Sequence, residues 1–370
     1  MDEKHKTRPI IAITGSAGKT TTKEMVACIL STRMKILKSQ NNLNLPVHTN
    51  HYAQSISHAH QAIVLEYGLQ FPGEIKKHCS IIQPNISVIT NIGSAHVGNF
   101  NSSIVELARA KSEIIEGMDS FGRLYVNADD SNSKFLLTDP FKGPITTVGI
   151  EKGADYRASH VSYCDTGMIF QVEMNGKKCD FMIPILGIHN IYNALFSIAV
   201  THQLGFTPEE IQQGFNDSLK FLINTRRLNL YKIGNNIQII DDTWSANPQA
   251  MKAALDVLEN IGNNNNIAVL ANMLELGNHT IDGHLEVGKY LATKKVDLLF
   301  TYGDYAKYIS NGAIQSGFPK EKVFHFNSLN VLNPALLKIL KPGSTVLIKG
   351  SHSVMMNRIV DFLRAYSQKK

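Results

Sequence analysis

The chain has 370 residues, 43% of them apolar and 18% charged, with a formal net charge of +6. That is ample for a folded core, too long for one domain, and unlike a disordered chain, so two or three domains are expected. The basic residues form no block beyond "EIKKH" and the terminal "SQKK", which argues against nucleic acid or a membrane surface and favours anionic small molecules as partners. Cys28, Cys79, Cys164 and Cys179 form no CxxC pair, so neither a zinc site nor a disulfide framework is expected. Without a leader or an 18-residue apolar run, the sequence reads as cytoplasmic.

In chain order, "RPIIAIT" (8–14) predicts a buried strand and "TTTKEMVACILSTR" the helix after it, with Met25, Val26, Ile29 and Leu30 near helical spacing. "AIVLEYG" and "ISVITNIG" predict two more strands that end in polar residues and glycine. Separated by helical stretches, they describe a parallel sheet with chemistry at its carboxyl ends. From about 120 to 186 the pattern turns β-rich, in "GRLYVNAD", "ITTVGI", "MIFQVEM" and "KCDFMIPI", with "NGKK" as a hairpin turn; these segments predict a subsidiary sheet. The helix "HNIYNALFSIAVTHQLG" then ends on a glycine. After "TRRLNLYKI" five strand and helix pairs follow, from "IQIID" to "MMNRIVDFLRAY". The fold class is therefore α/β: a phosphate-loop domain over 1–224 with a parallel and a subsidiary sheet, then a Rossmann-like domain over 225–370.

"TGSAGKTTT" lies where strand passes into helix, so unpaired amides and the positive end of the helix dipole would converge on a phosphate. Gly15 and Gly18 would let the backbone approach, with Ser16 and Ala17 between them. Lys19 would neutralise the β/γ charge and Thr20 would hold Mg²⁺. The general GxxxxGK[ST] pattern asks for glycine where this chain has Ile13, so the match is to a shorter variant. Glu66, at the end of its strand, is either a metal carboxylate or a solvated residue. His96 in "GSAHVGN" is either a metal ligand or a solvated loop histidine. Lys111, on a helix, is by itself indistinguishable from a surface lysine.

Taken together, "TGSAGKTTTKE", "VLEYGLQFPGEI", "TNIGSAHVGNF", "ARAKSEI", "GIHNIYNA", "DDTWSANPQAM", "LANMLELG" and "IKGSHSVMMNRIV" resemble, in order and separation, the Mur ligases of peptidoglycan synthesis, most closely the D-alanyl-D-alanine-adding (MurF) type. The resemblance implies an ATP-dependent carboxylate–amine ligase that works through an acyl phosphate and releases ADP and phosphate. Gly15 to Thr21 would bind phosphates, with Lys19 on the transferred group and Thr20, Glu66 and His96 on magnesium. Lys111 would match the family's carbamylated lysine, completing a site for two ions. Asn190 and Asn193 match adenine-side asparagines, Arg227 and Asp241 groups that reach the nucleotide, and Asn247 and Pro248 a segment near the incoming amine.

Departures from the family pattern fall on the acceptor side. The phosphate loop begins at residue 14, so the domain of roughly a hundred residues that grips the UDP end is expected to be missing. In "SQNNLNLPVHT" Asn44 stands where glycine is usual and Gln40 replaces an asparagine; Asn272, Trp244 and the Arg227-Leu228-Asn229 triplet also depart. The expectation is a carboxylate substrate other than the UDP-linked muropeptide, joined to an amino acid or dipeptide amine. The alternatives are a true D-alanyl-D-alanine-adding ligase, or the ATPase subunit of a two-chain amidotransferase with a protein partner. A dinucleotide oxidoreductase is disfavoured because no GxGxxG follows the late strands.

Overall fold

A computed structural model describes residues 8–222 and 225–367. They fall into two compact units: one runs to Pro184 and includes Ile188–Phe221, the other runs from Leu222 and includes Ile185–Gly187.

Among the described residues of the first unit, nine strands share a sheet. They are β1 (Ile10–Thr14), β2 (Ile36–Lys38), β3 (Ala62–Glu66), β4 (Ile86–Ile89), β5 (Arg123–Asn127), β6 (Ile145–Gly149), β7 (Tyr156–Cys164), β8 (Gly167–Met174) and β9 (Lys177–Ile183), in spatial order β2-β3-β1-β4-β5-β6-β7-β8-β9. From β2 through β7 every pairing is parallel, and β7-β8-β9 pair antiparallel. The central strands are continuous apolar runs because both faces are covered. Helices α1 (Lys19–Ser31) and α5 (Ile188–Gln203) pack together, α1 on β1 and β3 and α5 on β5 and β6. On the other side Ala12, Ile63, Leu65 and Ile89 share a core with Ile75 and Cys79 of α3 (Glu74–Ile81) and Leu107, Ala110 and Ile114 of α4 (Ile104–Gly117). Helix α2 (Pro46–Ser55) lies between β2 and β3 in the chain, and α6 (Pro208–Leu222) ends the unit.

Of the four β-rich segments expected to form the subsidiary sheet, "GRLYVNAD" and "ITTVGI" are β5 and β6 and extend the parallel sheet. Helix α4 supplies the crossover that a parallel β5 requires. The other two are β8 and β9, which continue the same sheet as an antiparallel edge. There Met168, Phe170, Val172 and Met174 are buried while alternate residues face outward, the period-two pattern of a strand covered on one face.

The second unit is a six-stranded sheet among the described residues, ordered β10-β11-β15-β12-β13-β14. Its strands are β10 (Asn229–Ile233), β11 (Ile237–Asp242), β12 (Asn266–Ala271), β13 (Leu298–Tyr302), β14 (Val323–Phe326) and β15 (Thr345–Lys349). All pairings are parallel except β10 with β11. Helices α7 (Pro248–Ile261), α8 (Thr280–Leu291), α9 (Lys307–Gln315), α10 (Leu329–Ile339) and α11 (Asn357–Ser367) alternate with them, the doubly wound arrangement expected from the sequence. Among the described residues no helix is long and apolar enough to cross a membrane.

Candidate active site

The phosphate loop joins β1 to α1, with β3 on one side of β1 and β4 on the other. Gly15 and Gly18 have φ of 144° and 82°. A Cβ at Gly15 would lie 1.9 Å from Thr90 Oγ1, and one at Gly18 2.2 Å from Asn193 Oδ1. Both glycines are thus demanded by conformation and by crowding. The loop is braced from the end of β4: Asn91 Oδ1 accepts the N–H groups of Ser16 and Ala17 at 3.1 and 2.9 Å, and Thr90 Oγ1 donates to the Ala17 carbonyl at 2.5 Å. Ser16 Oγ donates to the Gly93 carbonyl and accepts the Gly93 N–H at 3.0 and 2.8 Å. Two of the expected cradle amides are therefore turned toward Asn91. The amides of the first turn of α1 have no intrahelical partner, and such a helix N-terminus is able to take an anion.

Lys19 donates to the Gly15 carbonyl at 2.7 Å, so its ammonium folds over the loop. Thr20 Oγ1 donates to Glu66 Oε2 at 2.9 Å, and Asn44 Nδ2 donates to Glu66 Oε1 at 2.8 Å. Thr22 Oγ1 donates to Asn193 Oδ1 at 3.2 Å, and Asn193 Nδ2 donates to Asn190 Oδ1 at 2.8 Å. The first turn of α5 is thereby pinned to the first turn of α1. Lys111, on α4, is only 1% exposed; burial, reinforced by the charge of Lys19, holds its ammonium well below the usual lysine range. His96 is half-buried on the loop after β4, with φ of 63°, and opens a short helical turn over Val97–Phe100.

Among the described residues no three His, Cys, Asp or Glu side chains gather as a metal cluster. The hydroxyl and carboxylate of Thr20 and Glu66 nevertheless meet at the helix end of the phosphate loop, and such oxygen donors beside phosphate suit magnesium, which keeps several waters and few protein ligands. The donor set fits the ion.

In the second unit, Asp241 and Asp242 end β11. Asp241 is fully buried; burial raises its carboxyl pKa against the hydrogen bonds from Thr243 and the charge of Arg226. Its ion pair with Arg226 spans 3.2 Å, and Arg226 also reaches Asp361 at 3.2 Å. The pairing arginine is thus Arg226, while Arg227 donates to Ser245 Oγ at 3.4 Å. Asn247 Oδ1 caps α7 by accepting the Ala250 N–H at 2.8 Å, and Pro248 takes the first helical position, where a missing N–H costs nothing. Residues for which the sequence suggested no role are Ser39, Thr90 and Asn91 in the first unit and Arg226 and Lys349 in the second; Asn44, noted in the sequence only as a departure from the family pattern, is found on Glu66. Lys349 is buried and bonds Asp242 Oδ2 at 2.6 Å and the Ser245 carbonyl at 2.7 Å.

Family models match this architecture: a Mur ligase middle domain over residues 13–201, and a Mur ligase glutamate ligase domain over 226–352. The chain belongs to the Mur ligase family. UDP-N-acetylmuramoyl-tripeptide–D-alanyl-D-alanine ligase of Bacillus subtilis is 33% identical over 352 residues, 95% of this chain and 75% of that one. A crystal structure of MurF from Acinetobacter baumannii has a TM-score of 0.87 at 30% identity, covering 96% of this chain and 76% of that one. The fold extends to MurF of Thermotoga maritima in complex with ADP, with a TM-score of 0.83 at 23% identity over 98% and 81% of the two chains. This Mur ligase is an ATP-dependent acid–amino-acid ligase. The comparisons lend no support to a carboxylate other than the UDP-linked muropeptide and favour the alternative, a D-alanyl-D-alanine-adding ligase.

Proposed function

We propose that the chain joins D-alanyl-D-alanine to a UDP-linked muramoyl tripeptide. A carboxylate oxygen of the tripeptide attacks the γ-phosphorus of ATP and ADP leaves. The dipeptide nitrogen then attacks the acyl carbon, phosphate departs and the amine proton is released. The relative from Bacillus subtilis, 33% identical across 95% of this chain, carries the reading.

The first unit accounts for the phosphoryl half. Attack of one anion on another is opposed by repulsion, so positive charge must be fixed where it develops. Lys19 is one side-chain swing from the loop it now covers, and the first-turn amides of α1 take the phosphate oxygens. Asn193, joined to Asn190, supports the same turn. Thr20, Glu66 and, on the family motif, His96 would hold magnesium, which would neutralise charge on the reacting groups. Burial and the charge of Lys19 lower the Lys111 pKa, which favours the neutral amine; that amine would add to carbon dioxide, releasing a proton and leaving a carbamate whose oxygens would serve a second ion. Arg227, Asp241, Asn247 and Pro248 are assigned to nucleotide and amine on the family motifs.

Incubation with ATP, UDP-N-acetylmuramoyl-tripeptide and D-alanyl-D-alanine tests the reading. Phosphate release that needs all three, with a product heavier by the dipeptide, is expected. Turnover with another acid and amine, and none with this pair, refutes it. Lys111→Ala is expected to be inactive at any bicarbonate concentration and partly restored by short carboxylic acids; an unimpaired variant removes the carbamate.

A further inference from the structure

Lys23, one turn after Thr20 on α1, is completely buried. A buried ammonium persists only when fully partnered. Lys23 meets Glu24 Oε1 at 2.7 Å and donates to the carbonyls of Ser39 at 2.9 Å and Asn41 at 3.3 Å; the other Glu24 oxygen pairs with Lys38. The lysine thereby fastens the segment after β2 to the phosphate-loop helix, including Asn41, held in the left-handed region at φ 46°.

That segment runs along the end of β3 and touches it repeatedly. The Ser39 N–H donates to the Val64 carbonyl at 3.0 Å, and Ser39 Oγ accepts the Glu66 N–H at 3.0 Å. The Asn44 carbonyl accepts the Gly68 N–H at 2.9 Å, and a Cβ on Gly68 would lie 2.7 Å from the Asn44 side chain. Asn44 is therefore seated against β3 by backbone and by shape, and its amide lands on Glu66 Oε1 while Thr20 takes Oε2. Both oxygens of the carboxylate are held, each by a neutral donor.

We propose that Asn44 is a positioning residue for Glu66, and that buried Lys23 is the anchor that keeps Asn44 in place. The inference rests on the reading of Glu66 as a metal ligand. Without the Asn44 amide the carboxylate is restrained at one oxygen only and turns away from the ion. Partners that orient a ligating carboxylate typically change metal affinity by about 10–100-fold when removed.

The test measures Mn²⁺ binding by electron paramagnetic resonance in the presence of ADP, and ADP binding by calorimetry in EDTA, for the full chain and three variants. Asn44→Ala is expected to weaken Mn²⁺ roughly tenfold or more while ADP binding without metal is unchanged. Lys23→Met is expected to do the same and to speed amide exchange across 39–44. Glu66→Gln sets the scale. Normal Mn²⁺ affinity in Asn44→Ala, with a loss in Glu66→Gln, overturns the inference and leaves the metal reading standing. Unchanged affinity in Glu66→Gln overturns the metal reading itself. If Lys23→Met does not fold, the half-exposed Asn44 decides; if it folds with both Mn²⁺ affinity and exchange unchanged, the anchor is refuted.

Discussion

Asn91→Asp should pull stability and nucleotide affinity in opposite directions. Asn91 Oδ1 accepts from the Ser16 and Ala17 amides at 3.1 and 2.9 Å, and aspartate keeps that shape while making the acceptor a full charge. A hydrogen bond to a charged group contributes about 1.5–3 kcal/mol against about 0.5–1.5 for a neutral one. Two bonds therefore gain about 2 kcal/mol, which solvation of this half-buried side chain reduces to about 1 kcal/mol. On the proposed function, the same charge would face the phosphates held by the next amides. At roughly 8 Å and an effective dielectric near 20, two unit charges repel by about 2 kcal/mol, or roughly thirty-fold in Kd. Hydrogen exchange over residues 10–30 reads the first effect and calorimetric ADP titration the second. Asn91→Ala separates bracing from charge, because it should lose about 1–2 kcal/mol of stability as the Ala17 amide loses its acceptor while the Ser16 amide keeps the Asn91 carbonyl at 3.0 Å. An Asn91→Asp protein that binds ADP as wild type does, or whose loop exchanges faster, refutes the bracing geometry.

Gly18→Ala should cost about 1–2 kcal/mol for the left-handed backbone alone, and more as Asn193 is displaced; a melting temperature and ADP affinity equal to wild type would contradict the crowding at this position. His78, buried between the Thr49 hydroxyl at 2.6 Å and the Gly68 carbonyl at 3.1 Å and stacked on Tyr67, has its pKa lowered to about 4 by burial. The unfolded chain binds a proton near pH 6.5 that the folded chain refuses down to about 4, so this group contributes stability that is full above 6.5 and falls by about 3 kcal/mol between those limits. The imidazole NMR shift should titrate near 4 and His78→Gln should lose this part of the acid sensitivity; a midpoint near 6.5 would contradict it. Lys349→Met leaves Asp242 largely buried without its cation, and should destabilise the second unit by about 3–5 kcal/mol. Trp244, the only tryptophan, reports that unfolding; an unchanged urea midpoint would mean that the pair contributes nothing.

The alternation of the second unit was legible from the sequence because its helices are periodic and its strands are short apolar runs set between them, so local pattern and final structure agree. The β-rich stretch of the first unit was legible as strands but not as sheet membership. β5 and β6 resemble β8 and β9 in composition, and what separates them is the crossover by α4 and the face each strand covers. Short β2, three residues long, has too little periodicity to stand out, although it begins the loop that reaches Glu66.

The same distinction runs through the active site. Gly15, Gly18, Lys19 and Thr20 are readable as candidates because the phosphate contacts proposed for a strand–loop–helix turn lie within a few consecutive residues, where spacing carries the chemistry. The groups that hold the loop in shape come from far along the chain: Asn91 is 75 residues from Ser16, and Asn193 is 171 from Thr22. Asparagine and threonine in polar loops have no pattern that distinguishes a brace from a solvated turn, so only the packed fold reveals them. Lys111 marks the boundary between the two cases. Its chemistry depends on lying inside α4's buried face and close enough to Lys19 for their charges to oppose, conditions set jointly by helix phase and by the docking of α4 on the sheet. A sequence motif can therefore name the candidate for the phosphate contact, but the pKa of a lysine is decided by which neighbours exclude water from it.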